Sequence, residues 1–129
     1  MMSSTDAENF SIGERFMAGL ERCDIEATRE IYAVDAKLWH NFDQSFQSVE
    51  ENLKMLQWMH RKLSDIVYEI IVRESIPSGF YQLHILRGVL ASGEKFAMPA
   101  CAIVKITAGR IVSIDEYLDS QHTLPLLEG

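Results

Sequence analysis

The second half of the chain leaves few ways to fold. Three stretches with β-strand character, Phe80 to Leu90, Lys95 to Thr107 and Arg110 to Leu118, are separated by little more than Ser92-Gly93 and Ala108-Gly109. A parallel return would need a crossover of roughly a dozen residues or more, so connections this short dictate antiparallel hairpins. A fourth β-rich stretch, Asp65 to Ser75, joins them through the turn Pro77-Ser78-Gly79. The expected product is a four-strand meander. Pro99 lies inside an otherwise clean strand and has no N–H to donate, which predicts an edge or a bulge there. A bulge is one way to bend such a sheet.

The first half reads as helices. Thr5-Asp6-Ala7-Glu8 has the form of a capping box, and Ile12, Phe16, Leu20 and Cys23 recur at helical spacing, giving a helix from about Thr5 to Arg22. Asp24 can cap a second helix through Ile25, Thr28, Ile31 and Tyr32. A short strand over Ala36 to Asn41 follows. Ser48-Val49-Glu50-Glu51 is a second capping box, opening a helix with the stripe Val49, Leu53, Leu56, His60 and Leu63. Helices gathered first and strands later predict an α+β fold, with the helices on one face of a strongly curved, mainly antiparallel sheet. The 129 residues suit one domain spanning 1–129, and no linker or repeat divides them.

The net charge of −7 repels phosphate backbones and anionic lipid surfaces, so neither nucleic acid nor a membrane is an expected partner. Residues 1–8 are polar and acidic without an apolar leader core, and the expected location is the cytoplasm. Cys23 and Cys101 read as buried reduced thiols. The histidines His40, His60, His84 and His122 show no metal-ligand spacing, and there is no phosphate-binding glycine loop, so neither metal nor cofactor is expected.

Strand alternation sorts the polar residues. Phe80, Gln82, His84, Leu86, Gly88 and Leu90 share one face, and Tyr81, Leu83, Ile85, Arg87 and Val89 share the other. On the last strand Val112, Ile114, Glu116 and Leu118 fall together, opposite Ile111, Ser113, Asp115, Tyr117 and Asp119. Glu116 thus sits among aliphatic residues, a costly place for a carboxylate and one that raises its basicity. A surface ion pair with Arg87 or Lys105 is the competing explanation. His60 on its helical stripe reads as structural, and Trp39 as core or ligand contact.

Two segments carry a family resemblance. Asp35-Ala36-Lys37-Leu38-Trp39-His40-Asn41 resembles the first pocket strand of NTF2-like enzymes, and Ala108-Gly109-Arg110-Ile111 through Asp115-Glu116-Tyr117-Leu118-Asp119 resembles their last strand. The resemblance implies a cone-shaped α+β domain around a pocket for a small hydrophobic molecule, and a homodimer formed through the sheet. Within that superfamily, the oxyanion tyrosine of ketosteroid isomerases falls on Phe16, and their acidic base on His40 or Asn41. Against limonene-epoxide-hydrolase-like enzymes, Trp39 and Asn41 fall at the water-holding pair, Glu116 at the last-strand acid, and His84 and Leu86 at the central Arg and Asp. The SnoaL-like polyketide cyclases pair a histidine with an acid, and His84 and Glu116 match that pattern. The resemblance therefore implies cofactor-free acid–base chemistry with Glu116, His84 and His40 as catalytic residues. Trp39, Asn41, Gln82, Phe16, Trp58, Ile114 and Leu86 are the expected substrate contacts. A non-catalytic small-molecule-binding or dimeric interaction domain of the same fold is the alternative.

Overall fold

The computed structural model describes residues 3–128. Its elements are α1 (Ser4–Arg22), α2 (Ile25–Ile31), β1 (Tyr32–His40), β2 (Phe46–Gln47), α3 (Val49–Lys62), β3 (Leu63–Ile76), β4 (Gly79–Leu90), β5 (Lys95–Thr107), β6 (Arg110–Leu118), a 3-10 turn (Ser120–Thr123) and α4 (Leu124–Glu128). The cap of α1 is Ser3, whose Oγ accepts from the Asp6 N–H, two residues before the Thr5 at which a capping box is expected. The box at Ser48 forms as expected, with Glu51 returning a bond to the Ser48 N–H. Tyr32 opens β1 instead of closing α2, because its ring is buried against Phe16 in the core.

Six strands form one open sheet in the order β2-β1-β6-β5-β4-β3. The meander from β3 to β6 is antiparallel, and β1 runs parallel to β6, with His40 opposite Glu116. α1 and α3 cover the inner face, where Phe16, Tyr32, Leu53, Leu56, Phe80, Val104 and Ile111 form the main core. Pro99 pairs in register with Ile85 of β4, and β5–β6 pairing stops at Ala100. Pro99 therefore occupies a local edge and not a bulge, where no ladder asks for its missing N–H.

Bulges occur elsewhere, and they set which residues face inward. On β6 the pairing skips Val112, so Ile111 and Ile114 both point into the core; the expected grouping of Val112 with Ile114 fails on that account, while Glu116 and Leu118 keep their inward phase. On β3 the pairing skips Ile71, which is exposed, and the inward phase passes from Tyr68 and Ile70 to Arg73. Cys23 and Cys101 are free and half-buried. Among the described residues no helix is long and apolar enough to cross a membrane.

Gly79 begins β4 directly under β5. A Cβ there would stand 2.0 Å from the Val104 carbonyl oxygen, a backbone atom locked in the sheet. Gly79→Ala is expected to lower stability in urea denaturation by about 1–3 kcal/mol or more, through overpacking against an element that cannot yield.

Candidate active site

The helices and the inner sheet face enclose a cavity of about 310 Å³. Its walls are largely apolar: Phe16, Met17 and Leu20 from α1, Met55, Leu56, Trp58 and Met59 from α3, and Leu86, Met98 and Ile114 from the sheet. Thr123, Leu126 and Leu127 close one side, so the segment after β6 is part of the wall; Leu126 is buried. The polar residues of its lining are Asn52, Tyr68, Gln82, His84, His40, Glu116 and Thr123.

Glu116 is the centre of this group. One carboxylate oxygen lies 3.2 Å from His40 Nε2 and the other 3.8 Å from His84 Nε2. The first contact is a hydrogen bond; the second is too long for one and close enough for a ligand atom to bridge. The carboxylate is therefore partnered, which answers the cost of placing it among aliphatic side chains. The surface alternative fails, because Arg87 pairs with Glu69 across the outer face.

The two imidazoles are driven apart. Burial works against a charge on His40, but the hydrogen bond and charge of Glu116 prevail and hold it above the ordinary histidine range. At His84 burial prevails, and with Arg73 nearby it outweighs the pull of Glu116 and holds the ring below that range. Tyr68, missed by sequence reasoning, lies edge-on to His84 with ring centres 5.5 Å apart. Burial, then the charge of Glu116, push its phenol far above the usual tyrosine value, keeping it a neutral donor.

A second layer supports His84. The Gln82 side-chain N–H donates to His84 Nδ1 at 3.0 Å, and Gln82 Oε1 accepts from Arg73 Nε at 3.0 Å and Nη2 at 2.8 Å. Arg73 is 6% exposed, pairs with Glu14 and lies over the Phe80 ring.

Of the expected site residues, Glu116, His84, His40, Gln82, Phe16, Trp58, Ile114 and Leu86 all line the cavity. Trp39 borders it, but alternation turns its ring toward Tyr117, 5.3 Å away. Asn41 is not in the wall. Its N–H donates to the Glu116 carbonyl and its Oδ1 accepts from the Leu118 N–H, so it latches the end of β1 to the backbone around Glu116. His60 is structural as expected, with Nε2 2.8 Å from the Leu20 carbonyl. Arg73 was hidden because its facing depends on the β3 bulge at Ile71, and Tyr68 because the β3–β4 register also shifts between Ser64 and Val67. Among the described residues no three His, Cys, Asp or Glu side chains converge as a metal site.

The sequence matches the family model of the SnoaL-like domain over residues 13–114. The chain belongs to the SnoaL-like family. Solved structures agree on the fold. IdmH of Streptomyces antibioticus, a candidate polyketide cyclase, superimposes with a TM-score of 0.81 at 17% identity, covering 94% of this chain and 99% of that one. PrhC of Penicillium brasilianum gives 0.84 at 12% identity, over 97% of this chain and 89% of its own. A ketosteroid isomerase-like protein of Catenulispora acidiphila, solved with trimethylamine, gives 0.72 at 13% identity over 82% and 83%. Among curated proteins no sequence matches.

The raised affinity of His40 for its proton has a defined sign. Its contribution to stability is full below the unfolded value of about 6.5 and is lost as pH rises through the higher folded value. In an NMR titration, Glu116→Gln should bring the His40 midpoint down; an unchanged midpoint would mean that Glu116 is not what holds the proton.

Proposed function

We propose that this SnoaL-like domain is a cofactor-free enzyme that moves a proton on a small hydrophobic, carbonyl-bearing molecule. The observation that carries the reading is a single carboxylate, Glu116, set between two imidazoles of opposed proton affinity at the wall of an apolar cavity. Titratable neighbours pushed apart in this way are suited to separate acid and base roles. The cavity volume sits at the low end of ligand pockets, roughly 300–1,000 Å³, which favours a small substrate.

In the proposed reaction Glu116 removes a proton from the carbon beside the substrate carbonyl. The electron pair of that C–H bond moves into the enolate, and negative charge collects on the carbonyl oxygen. His84 donates to that oxygen, with the Tyr68 hydroxyl as a second neutral donor. His40 holds the Glu116 carboxylate in place through its 3.2 Å contact until substrate arrives. The proton on Glu116 then returns to a different carbon, completing an isomerisation, or to the alkoxide formed when the enolate attacks a second carbonyl, completing an aldol cyclisation. Acid–base catalysis of this kind supplies roughly 10²–10⁴-fold. The dry, preorganised cavity adds the electrostatic part.

The reading is tested without knowing the natural substrate, by following α-hydrogen exchange of small hydrophobic ketones in D2O by NMR. Wild type should accelerate exchange, and Glu116→Gln should lose about 10²–10⁴-fold of that rate while ligand-induced chemical-shift changes persist. Exchange retained in the variant sinks the mechanism. Binding without exchange in either protein favours the alternative, a non-catalytic binding domain; the trimethylamine complex of the Catenulispora protein is a small-molecule complex on this fold.

We also assign the outer sheet face as the surface of a homodimer. Val67, Ile71, Leu83 and Tyr117 are all exposed there, between 41% and 55%. Apolar side chains exposed on one sheet face favour burial against a partner. Sedimentation should give twice the chain mass, and a monomer at micromolar concentration would count against the assignment.

A further inference from the structure

The reaction proposed above needs a donor facing the ligand oxygen, and a neutral histidine donates from only one of its two nitrogens. Which nitrogen carries the hydrogen is set by what the other one meets. At His84 that question is settled two side chains away. Arg73 has donors only, so the Gln82 atom facing it, 2.8 and 3.0 Å from two guanidinium nitrogens, must be the carbonyl oxygen. The other end of the Gln82 amide is then the NH2 group, and it points at His84 Nδ1 at 3.0 Å. An N–H donor facing Nδ1 leaves that nitrogen only the acceptor role. The single ring hydrogen belongs on Nε2, the atom that faces Glu116 across 3.8 Å at the cavity.

We propose that Arg73 and Gln82 are positioning residues that fix His84 as its Nε2–H tautomer, so that His84 serves the cavity as a hydrogen-bond donor and not as a base. Its use toward a ligand oxygen rests on the function proposed above; the tautomer does not. Arg73 suits the role because it cannot give up its charge and cannot turn away. It is 6% exposed, held by Glu14 on α1 and stacked over Phe80, and a Cβ on Gly13 would stand 3.2 Å from its Cζ. The bulge at Ile71 turns it inward beside Gln82. Protonating Nδ1 would set its N–H against the Gln82 NH2, donor facing donor, with no acceptor for the new hydrogen. The charged and titratable groups that face His84 are Glu116 on β6, Tyr68 and Arg73 on β3, and His40 on β1 beyond Glu116. Glu116 alone favours a cation there, and it is already bonded to His40.

Long-range ¹H–¹⁵N spectra of the uniformly labelled protein at neutral pH read the two ring nitrogens separately. The expected result for His84 is a protonated-type Nε2 and an unprotonated-type Nδ1. A reversed pattern, a tautomer mixture or an imidazolium in the wild type overturns the proposal without any variant. Gln82→Glu, which keeps the shape and can still bind Arg73, replaces the donor facing Nδ1 with an acceptor. There Nδ1 should become protonated, and the His84 midpoint should rise by about one to three pH units. An unchanged Nε2–H signature in that variant removes Gln82 from the role. Arg73→Met frees the Gln82 amide to turn, and His84 should then populate both tautomers; an unaltered spectrum of the folded variant removes Arg73. These spectra are of the resting protein. An Nε2–H His84 in a chain that exchanges no ketone hydrogens would refute the proposed reaction and leave this inference standing, and the reverse result would separate them the other way.

Discussion

A carboxylate inside an apolar cavity must find partners, and the surroundings of Glu116 are organised by that requirement. Its same-face neighbours on β6, Ile114 and Leu118, are aliphatic and offer none. Relief comes from the adjacent strand, because the parallel pairing of β1 with β6 sets His40 directly opposite. Asn41 then ties the strand end to the Glu116 and Leu118 backbone, so the imidazole and the carboxylate keep their register. With one oxygen satisfied by His40, the second is left facing His84 and the open cavity. Structure and chemical potential arise from the same contact.

Two irregularities in the sheet make this arrangement possible. A slip of one residue exchanges every inward side chain for its outward neighbour. On β6 such a slip would trade Glu116 for Asp115 or Tyr117, and the bulge at Val112 fixes the phase that keeps Glu116 inside while Ile111 stays in the core. On β3 the bulge at Ile71 performs the same service for Arg73, which would otherwise yield its place to Val72. The bulges also bend the strands around the helices, so the curvature that makes the cavity and the phase that lines it have one origin.

Polar order extends outward from the cavity in layers. Glu116, His40, His84 and Tyr68 meet the cavity itself. From Gln82, which also lines the cavity, Arg73 and Glu14 continue the chain to the surface of α1. Every buried polar side-chain atom among the described residues has a partner. Low local dielectric makes each of these bonds stronger and each missing partner dearer, so a network of this kind holds its geometry tightly.

The sequence by itself determined the longer helices and strands, the antiparallel meander and most of the inward face. Period-two alternation and hairpins too short to cross over are local properties, and they placed Gln82, His84, Leu86 and Glu116 on the correct side. The capping box at Ser48 was legible for the same reason. Other features were decided only by tertiary structure. The pairing of His40 with Glu116 and of Arg73 with Gln82 depends on strand order and on bulges, where one unpaired residue reverses the pattern that alternation predicts. The segment after β6 became cavity wall because Leu126 found an apolar cluster to join, with no periodicity long enough to announce it. Asn41 carried the residue type of a ligand contact and became a backbone latch, its Oδ1 accepting from the Leu118 N–H. Local pattern fixes which face a side chain takes; only the packed sheet fixes what it meets there.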